Sequence, residues 1–413
     1  MIIDLRTTSA AGRQRPSSGA ARQRVVVMAL NSWTYGGVEE HAALLSEALP
    51  RWGYQSRVVC ADSPELAPLL HRLEKAGVEH YVERVTEAGR LERLRRTSAL
   101  SERMRAWGAE LLHLQLTGHR GGKGHMLAGL RAGVPMVATH HIAPVQRDKA
   151  VERLARRPFL SRVRRFIAVS NANRVLQVER LCLPPDRTVT IPNGIVPPCP
   201  APERGAARAE LAGMLGVSAE ARIVGSVGRL VEQKGLHWLL EAAPAILRAC
   251  PDTHFAFIGE GHLLAELQAQ ADALGIRDRT HWLGFRPGAQ ALMAGMDVLA
   301  LPSRFEGLPL AVLEAMSVET PVVAHDVDGV GEAVRDGREG LLVPLGDTRA
   351  LADRICRLLC APPLARRMGQ EGRLRVLEEF SVDAMARKTA ALYDEVLAET
   401  ARAPVAAPEG PSA

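Results

Sequence analysis

A chain of 413 residues with 47% hydrophobic and 24% charged content is too long for one ordinary core and suits two domains of roughly 200 residues each. It contains no run of about 18 uninterrupted apolar residues, which argues against a membrane-spanning helix. Its cysteines at 60, 182, 199, 250, 356 and 360 show neither CxxC pairs nor metal spacing with histidine, which argues against a disulfide framework or a zinc module.

Charge divides unevenly along the chain. Residues 1–200 hold 30 Lys and Arg against 17 Asp and Glu, a net of +13, while residues 201–413 hold 22 against 29, a net of −7. The excess peaks in RLERLRR (90–96) and VERLARRPFLSRVRRF (151–166). Such a half could attract nucleic acid, a phosphate-bearing substrate or an anionic membrane surface, or its arginines could simply solvate helix faces.

Residues 1–23 lack the compact apolar centre of a secretory signal and read as a disordered leader, so a cytoplasmic location is expected. RVVVMAL (24–30) is a short β-branched run that leads through NSWTYGG into a helical pattern, GVEEHAALLSEALPRWG. Strand-like runs SRVVC, ELLHLQL, PMVATHH, FIAVS and TVTIP follow, alternating with helical segments. That alternation predicts a parallel sheet covered on both faces, over residues 24–196. The proline-rich PPCPAPERGA (197–206) is the expected linker.

The pattern then restarts over 207–380 with RIVGSVGRL, HFAFIGEG, RTHWLGF, DVLALPS, PVVAHDV and GLLVP, which predicts a second doubly wound α/β domain. Residues 381–401 read as an amphipathic helix and 402–413 as a disordered end. Two such domains would face each other across a crevice, with ligands bound in the loops that follow the strands.

Those loops share a chemical theme. In TYGGVEEH, Gly36 and Gly37 directly precede a helix, a turn whose amides suit phosphate. In GRLVEQKG, Gly228 ends a strand, Arg229 and Lys234 supply two cations and Gly235 opens a helix. This is a natural diphosphate site, because guanidinium binds oxygens as a fork and ammonium as a point charge. In FIGEGHLLAEL, Gly259, Glu260 and Gly261 form a tight strand-to-helix turn where backbone could approach a ligand closely. In SRFEGLPLAVLEAM (303–316), Glu306 and Glu314 stand eight positions apart. With a helix beginning near Leu308, both could lie at one end of a cleft, where a carboxylate suits vicinal hydroxyls of a sugar or ribose. The plainer alternative is that Glu306 caps the helix and Glu314 is solvated.

TYGGVEEH, PNGI (192–195), GRLVEQKG, IGEG, FEGLPLAVLEAM and DGREGLLVPLGD, in this order over about 24–380, resemble the retaining nucleotide-sugar glycosyltransferases of group 1 / family 4 type, with the GT-B fold. The resemblance implies that Glu306, with Gly307 and Leu308, faces the donor sugar, and that Glu314 holds the ribose. It also implies that Arg229 and Lys234 grip the diphosphate, which Gly37 approaches from the other domain. It places a histidine near the reacting bond, and PMVATHHIAP puts His141 there with His140 adjacent. His119, Arg120 and His140 would contact the acceptor beside it. No cofactor or metal is implied, only the nucleotide-sugar as co-substrate. Asp326–Asp328 (DVD) imitates a metal-binding DxD but follows a strand end. GVGEAV stands where the family usually has a Gly-x-Pro-Glu turn, which leaves the geometry of that loop open.

The implied reaction is transfer, with retention, from a nucleoside-diphosphate sugar to a hydroxyl acceptor. UDP is the expected nucleotide and GDP-mannose the alternative. An anionic or lipid-linked acceptor at the inner membrane face, as in envelope polysaccharide or glycolipid assembly, fits the basic first half, with peripheral contact to anionic membrane. A small natural product such as an aminocyclitol or aglycone is a second reading, and a nucleotide-sugar epimerase a third. A nucleic-acid partner is disfavoured, because no such motif is visible.

Overall fold

The computed structural model describes residues 22–84, 90–117, 121–143 and 157–402. The expected leader and tail lie largely outside them. Among the described residues thirteen strands form two sheets, all of whose pairings are parallel. The first contains β1 (Arg24–Leu30), β2 (Tyr54–Ala61), β3 (His80–Glu83), β4 (Ala109–Leu116), β5 (Met136–His140), β6 (Val163–Ala168) and β7 (Thr188–Thr190), in the order β3-β2-β1-β4-β5-β6-β7. The second contains β8 (Arg222–Val227), β9 (Thr253–Ile258), β10 (Thr280–Trp282), β11 (Val298–Leu301), β12 (Val322–His325) and β13 (Gly340–Val343), in the order β10-β9-β8-β11-β12-β13.

The unbroken apolar runs have a direct physical cause. Strands β9, β11 and β12 are buried at every position, and β1 at all but its first, because helices cover both faces of each sheet. Only β3 escaped the sequence pattern. Its four residues HYVE are all half-buried at a sheet edge, so neither an apolar run nor a clean alternation marks them.

In both sheets the strand order reverses beside the first strand, at β1/β4 and β8/β11. A crevice opens there at the carboxyl ends of the strands, the usual place for ligands in such sheets. The helix Val382–Arg402 returns to the first domain. Its Met385, Ala386, Tyr393 and Val396 join the cluster that contains Val26, Leu45 and Tyr54, and Tyr393 meets Tyr54 edge-on at 5.1 Å. The two chain crossings lie side by side: Ile195 N donates to Phe380 O and Val382 N to Ile195 O.

Candidate active site

The first-domain wall begins with the loop after β1. Gly36 has extended backbone (φ −170°) and precedes the helix Gly37–Ala48. A Cβ on Gly36 would lie 3.6 Å from Arg229 Nε, and one on Gly37 3.8 Å from Leu310 Cδ1, so the second domain stands in contact range of this helix start. In its first turn, Glu39 is buried and accepts a hydrogen bond from Ser32 Oγ, and desolvation raises its pKa against that bond. Tyr35 Oη donates to Glu40 at 2.5 Å, and Arg72 pairs with Glu40 at 2.6 Å.

Behind this wall lies a buried polar floor. His141 Nε2 lies 2.8 Å from Gln115 Oε1. Since an amide oxygen only accepts, Nε2 carries the proton and Nδ1 is left as an acceptor. His41 meets the His141 ring edge-on at 4.7 Å and donates from Nδ1 to Asn193 Oδ1 at 3.0 Å. Asn193 Nδ2 in turn donates to Leu308 O of the second domain at 2.8 Å. His113 lies between Tyr393 Oη (2.6 Å) and Thr139 Oγ1 (2.7 Å). Desolvation pushes His41 down to about 4, His113 down to about 3 and His141 well below the usual histidine range, so all three are neutral near pH 7.

His140, the last residue of β5, turns the other way. Its ring lies 6.3 Å from that of Phe166 and borders a small pocket with Phe159 and Leu160. Successive strand residues face opposite sides of a sheet, so adjacency in THH does not bring both rings to the same place. His119 and Arg120 fall outside the described residues.

The second-domain wall carries the charge. After β8, Gly228 (φ +149°) turns the chain into exposed Arg229, a single helical turn Glu232–Lys234, and Gly235 (φ +58°), which opens the helix Leu236–Ala249. Lys234 Nζ lies 2.6 Å from Glu306 Oε1, a pair whose side chains are 16% and 5% exposed. Glu306 N donates to Asp328 Oδ2 at 2.8 Å, and Asp328 sits in the left-handed region (φ +43°). Asp328, from the DVD segment, therefore holds the Glu306 loop. Among the described residues no group of three or more His, Cys, Asp or Glu side chains could hold a metal ion.

The helix carrying Glu314 runs Leu310–Ser317. It opens two residues later than expected, because Pro309 takes the capping position. Burial pushes Glu314 up to about 7, the Glu40 charge across the crevice adding to the effect and Arg72 opposing it.

The GEG turn has a packing role that the sequence expectation did not include. A Cβ on Gly259 would lie 2.0 Å from Gly228 O, and one on Gly261 2.2 Å from Leu230 O. These glycines let two adjacent strand-end loops pack on each other, and Glu260 Oε1 accepts from Phe285 N at 3.2 Å.

The domains meet backbone to backbone at Gly307. A Cβ there would lie 1.9 Å from His141 O, and one on Gly329 would lie 1.8 Å from Gly307 O. Ser170 Oγ donates to Gly307 O at 3.0 Å. Glu332, from the atypical GVGEAV turn, accepts from Asn171 N (2.9 Å) and Ala172 N (2.6 Å). It thus caps the first-domain helix Asn171–Leu181 from the other side of the crevice. Sequence reasoning assigned no role to His41, Gln115, Asn193 or Glu332. His41, Asn193 and Glu332 each lay within a stretch already singled out, TYGGVEEH, PNGI and GVGEAV, and Gln115 alone, inside the strand run ELLHLQL, carried no signal.

The structure thus brings Gly36, Gly37, Arg229, Lys234, Glu306, Gly307, Leu308, Glu314 and His141 to one crevice. Gly228, Gly259 and Gly261 shape its second-domain loops, and His140 faces elsewhere.

The family described as Glycosyltransferase Family 4 matches residues 35–197, and that described as Glycosyl transferases group 1 matches residues 221–361. The chain is 33% identical to the alpha-maltose-1-phosphate synthase of Mycolicibacterium smegmatis over 68% of this chain and 78% of that protein. It is 29% identical to the phosphatidyl-myo-inositol mannosyltransferase of Mycobacterium leprae over 90% and 96% of the two chains. With the alpha-D-kanosaminyltransferase of Streptomyces kanamyceticus it shares 34% identity over 46% of this chain, spanning only half of that enzyme. HepE of Anabaena, solved with UDP and glucose, superposes with a TM-score of 0.79 at 20% identity, covering 90% of this chain and all of HepE, which speaks to the fold. Two switch-point sheets in GT-B arrangement, matches in both domains and these relatives together show that the chain belongs to the group 1 / family 4 glycosyltransferases.

Proposed function

We propose that this glycosyltransferase moves a sugar from a UDP-sugar to a hydroxyl acceptor with retention at the anomeric carbon, without a metal, in glycolipid or envelope polysaccharide assembly. The carrying observation is the Lys234–Glu306 pair at 2.6 Å, its carboxylate buried and its ammonium half-buried, in the same crevice as Arg229, which lies in contact range of the Gly36–Gly37 helix start. Two cations and a helix N-terminus converge where negative charge would develop on a departing diphosphate. In this reading the bond from the anomeric carbon to the phosphate oxygen breaks, and the bond to the acceptor oxygen forms on the same face. The acceptor's proton passes to the departing diphosphate. Glu306 orients the sugar and Glu314 holds the ribose hydroxyls. His141, neutral and fixed by Gln115, offers Nδ1 as an acceptor for a sugar hydroxyl. Uridine is favoured by the HepE complex with UDP and glucose, and a lipid-linked acceptor by the phosphatidyl-myo-inositol mannosyltransferase.

Thermal stabilisation by UDP-, GDP-, ADP- and dTDP-sugars tests the donor side. At a hundredfold excess over Kd a selective ligand adds about 2.7 kcal/mol, and Arg229→Ala and Glu314→Ala should each reduce that gain. Proton NMR of the sugar first released to water tests retention, and an inverted anomer would exclude the proposed stereochemistry.

A further inference from the structure

A cavity of about 240 Å³ opens in the first domain at the carboxyl ends of β1–β4, and none of the residues considered above as donor contacts lines it. It shares a loop with the donor side: Asn31, Ser32 and Trp33 border the cavity, and the same loop ends at Gly36 beside Arg229. An acceptor seated there would thus lie one short loop away from the proposed leaving group.

The charge in the cavity is specific. Arg93 and Arg96, three positions apart on the helix Arg90–Ala106, both line it, whereas Arg95 pairs with Glu92. Elsewhere in the first domain Arg72 pairs with Glu40 and Glu47, Arg57 with Glu79 and Arg165 with Glu399. Surface arginines such as Arg51 and Arg164 have no acid at ion-pair distance among the described residues, so what sets Arg93 and Arg96 apart is that both border one cavity. Among the same residues neither Arg93 nor Arg96 has an acid within ion-pair distance; Arg93 is exposed, and Arg96 donates from Nη1 to Arg84 O at 3.5 Å while its Nε is buried without a hydrogen-bond partner. A buried guanidinium nitrogen with no acceptor is costly to leave so. The acid in the cavity, Glu83, is already held by His125 Nε2 at 2.8 Å.

Resting on the glycosyl-transfer reading above, we propose that this cavity binds the acceptor through a phosphate group, gripped by Arg93 and Arg96, and so selects a phosphorylated polyol or sugar over an aminocyclitol. The guanidinium fork matches phosphate oxygens, and two cations without an acid partner repel an ammonium-bearing acceptor. The volume lies just under the roughly 300–1,000 Å³ of drug-sized sites, which suits one small ring or headgroup. The phosphate belongs to a soluble ester or to a lipid headgroup, and the test separates these.

The experiment is calorimetric titration of the full chain with sn-glycerol 3-phosphate, glycerol and a diaminocyclitol, with UDP titrated in parallel. The phosphate ester should bind and glycerol should not. The double variant Arg93→Gln/Arg96→Gln should weaken the ester at least about tenfold, the scale of lost charge-assisted hydrogen bonds, and leave UDP affinity unchanged. Gly124→Phe gives an independent check. Gly124 borders the cavity with nothing within 4 Å of a Cβ built there, so the ring should fill the cavity without removing either arginine, and ester binding should again be lost. Arg229→Gln should do the reverse, weakening UDP and sparing the ester. Sedimentation with phosphatidylcholine vesicles containing phosphatidylinositol identifies the source. Retention that depends on the two arginines assigns a lipid headgroup, and ester binding without retention assigns a soluble ester. Ester affinity unaffected by both cavity variants, or lost only in Arg229→Gln, overturns the proposal, as does diaminocyclitol binding that depends on Glu83. Failure of UDP to bind any variant while the ester still depends on the arginines would instead remove the donor reading.

Discussion

The two walls of the crevice solve opposite electrostatic problems. The first half of the chain carries +13, yet the crevice floor it supplies is Gln115 with His41, His113 and His141, the three histidines held neutral by burial. The second half carries −7, yet it supplies Arg229 and the part-buried Lys234–Glu306 pair. Net charge over a domain describes mostly its solvated surface. The charge state at a site depends on desolvation and on the few groups within hydrogen-bond distance.

The largest effect should come from the charged wall. Lys234→Ala leaves the carboxylate of Glu306, 5% exposed, without its cation. We expect a loss of about 3 kcal/mol in urea unfolding, as for a broken buried pair. Turnover should fall by about 10²–10³, the scale of removing one donor aimed at developing charge. A variant with wild-type stability would show that the pair is solvated.

The walls should also titrate in opposite directions. The three histidines have pKa values below that of the unfolded chain, so the unfolded state binds more protons. Their contribution, complete above about pH 6.5, is lost as pH falls toward 4. Glu314 is raised from 4.5 to about 7, so the folded state binds the extra proton and stability falls as pH rises between those values. Glu314→Gln should therefore be more stable than wild type above pH 7, by at most about 3 kcal/mol, and equal to it below about pH 4.5. Urea midpoints measured across this range check the sign, and a gap that widens on acidification contradicts it.

A methyl group tests where the walls touch. Gly307→Ala would place Cβ 1.9 Å from His141 O, a clash with backbone that only separation of the domains relieves. The cost of overpacking, about 1–3 kcal/mol, should lower kcat/KM by about tenfold to a hundredfold and increase the radius of gyration in solution scattering. Melting of the separate domains should change little. The smallest effect is at the rim: Glu332→Ala removes the cross-domain cap of Asn171 and Ala172 and should cost about 1 kcal/mol, read from amide exchange at the start of the helix Asn171–Leu181.

Most strands were legible because burial on both faces forces unbroken apolar runs, visible in RVVVMAL and HFAFI as local composition. The edge strand β3 was not, since a half-buried HYVE has no such signature. In the crevice, residue types showed in the motifs and contacts did not. Nothing in GRLVEQKG or FEGLP says that Lys234 would meet Glu306, 72 positions away, or that Gly259 makes room for Gly228.

By itself, then, the sequence determined the alternation of strand and helix, the family resemblance and the loops that carry cations and acids, because each is written in neighbouring residues. Tertiary structure decided which histidine of THH faces the crevice, which charges pair and which are silenced, and where the domains touch. Those outcomes depend on strand orientation and desolvation among groups far apart in the chain, which no local pattern encodes.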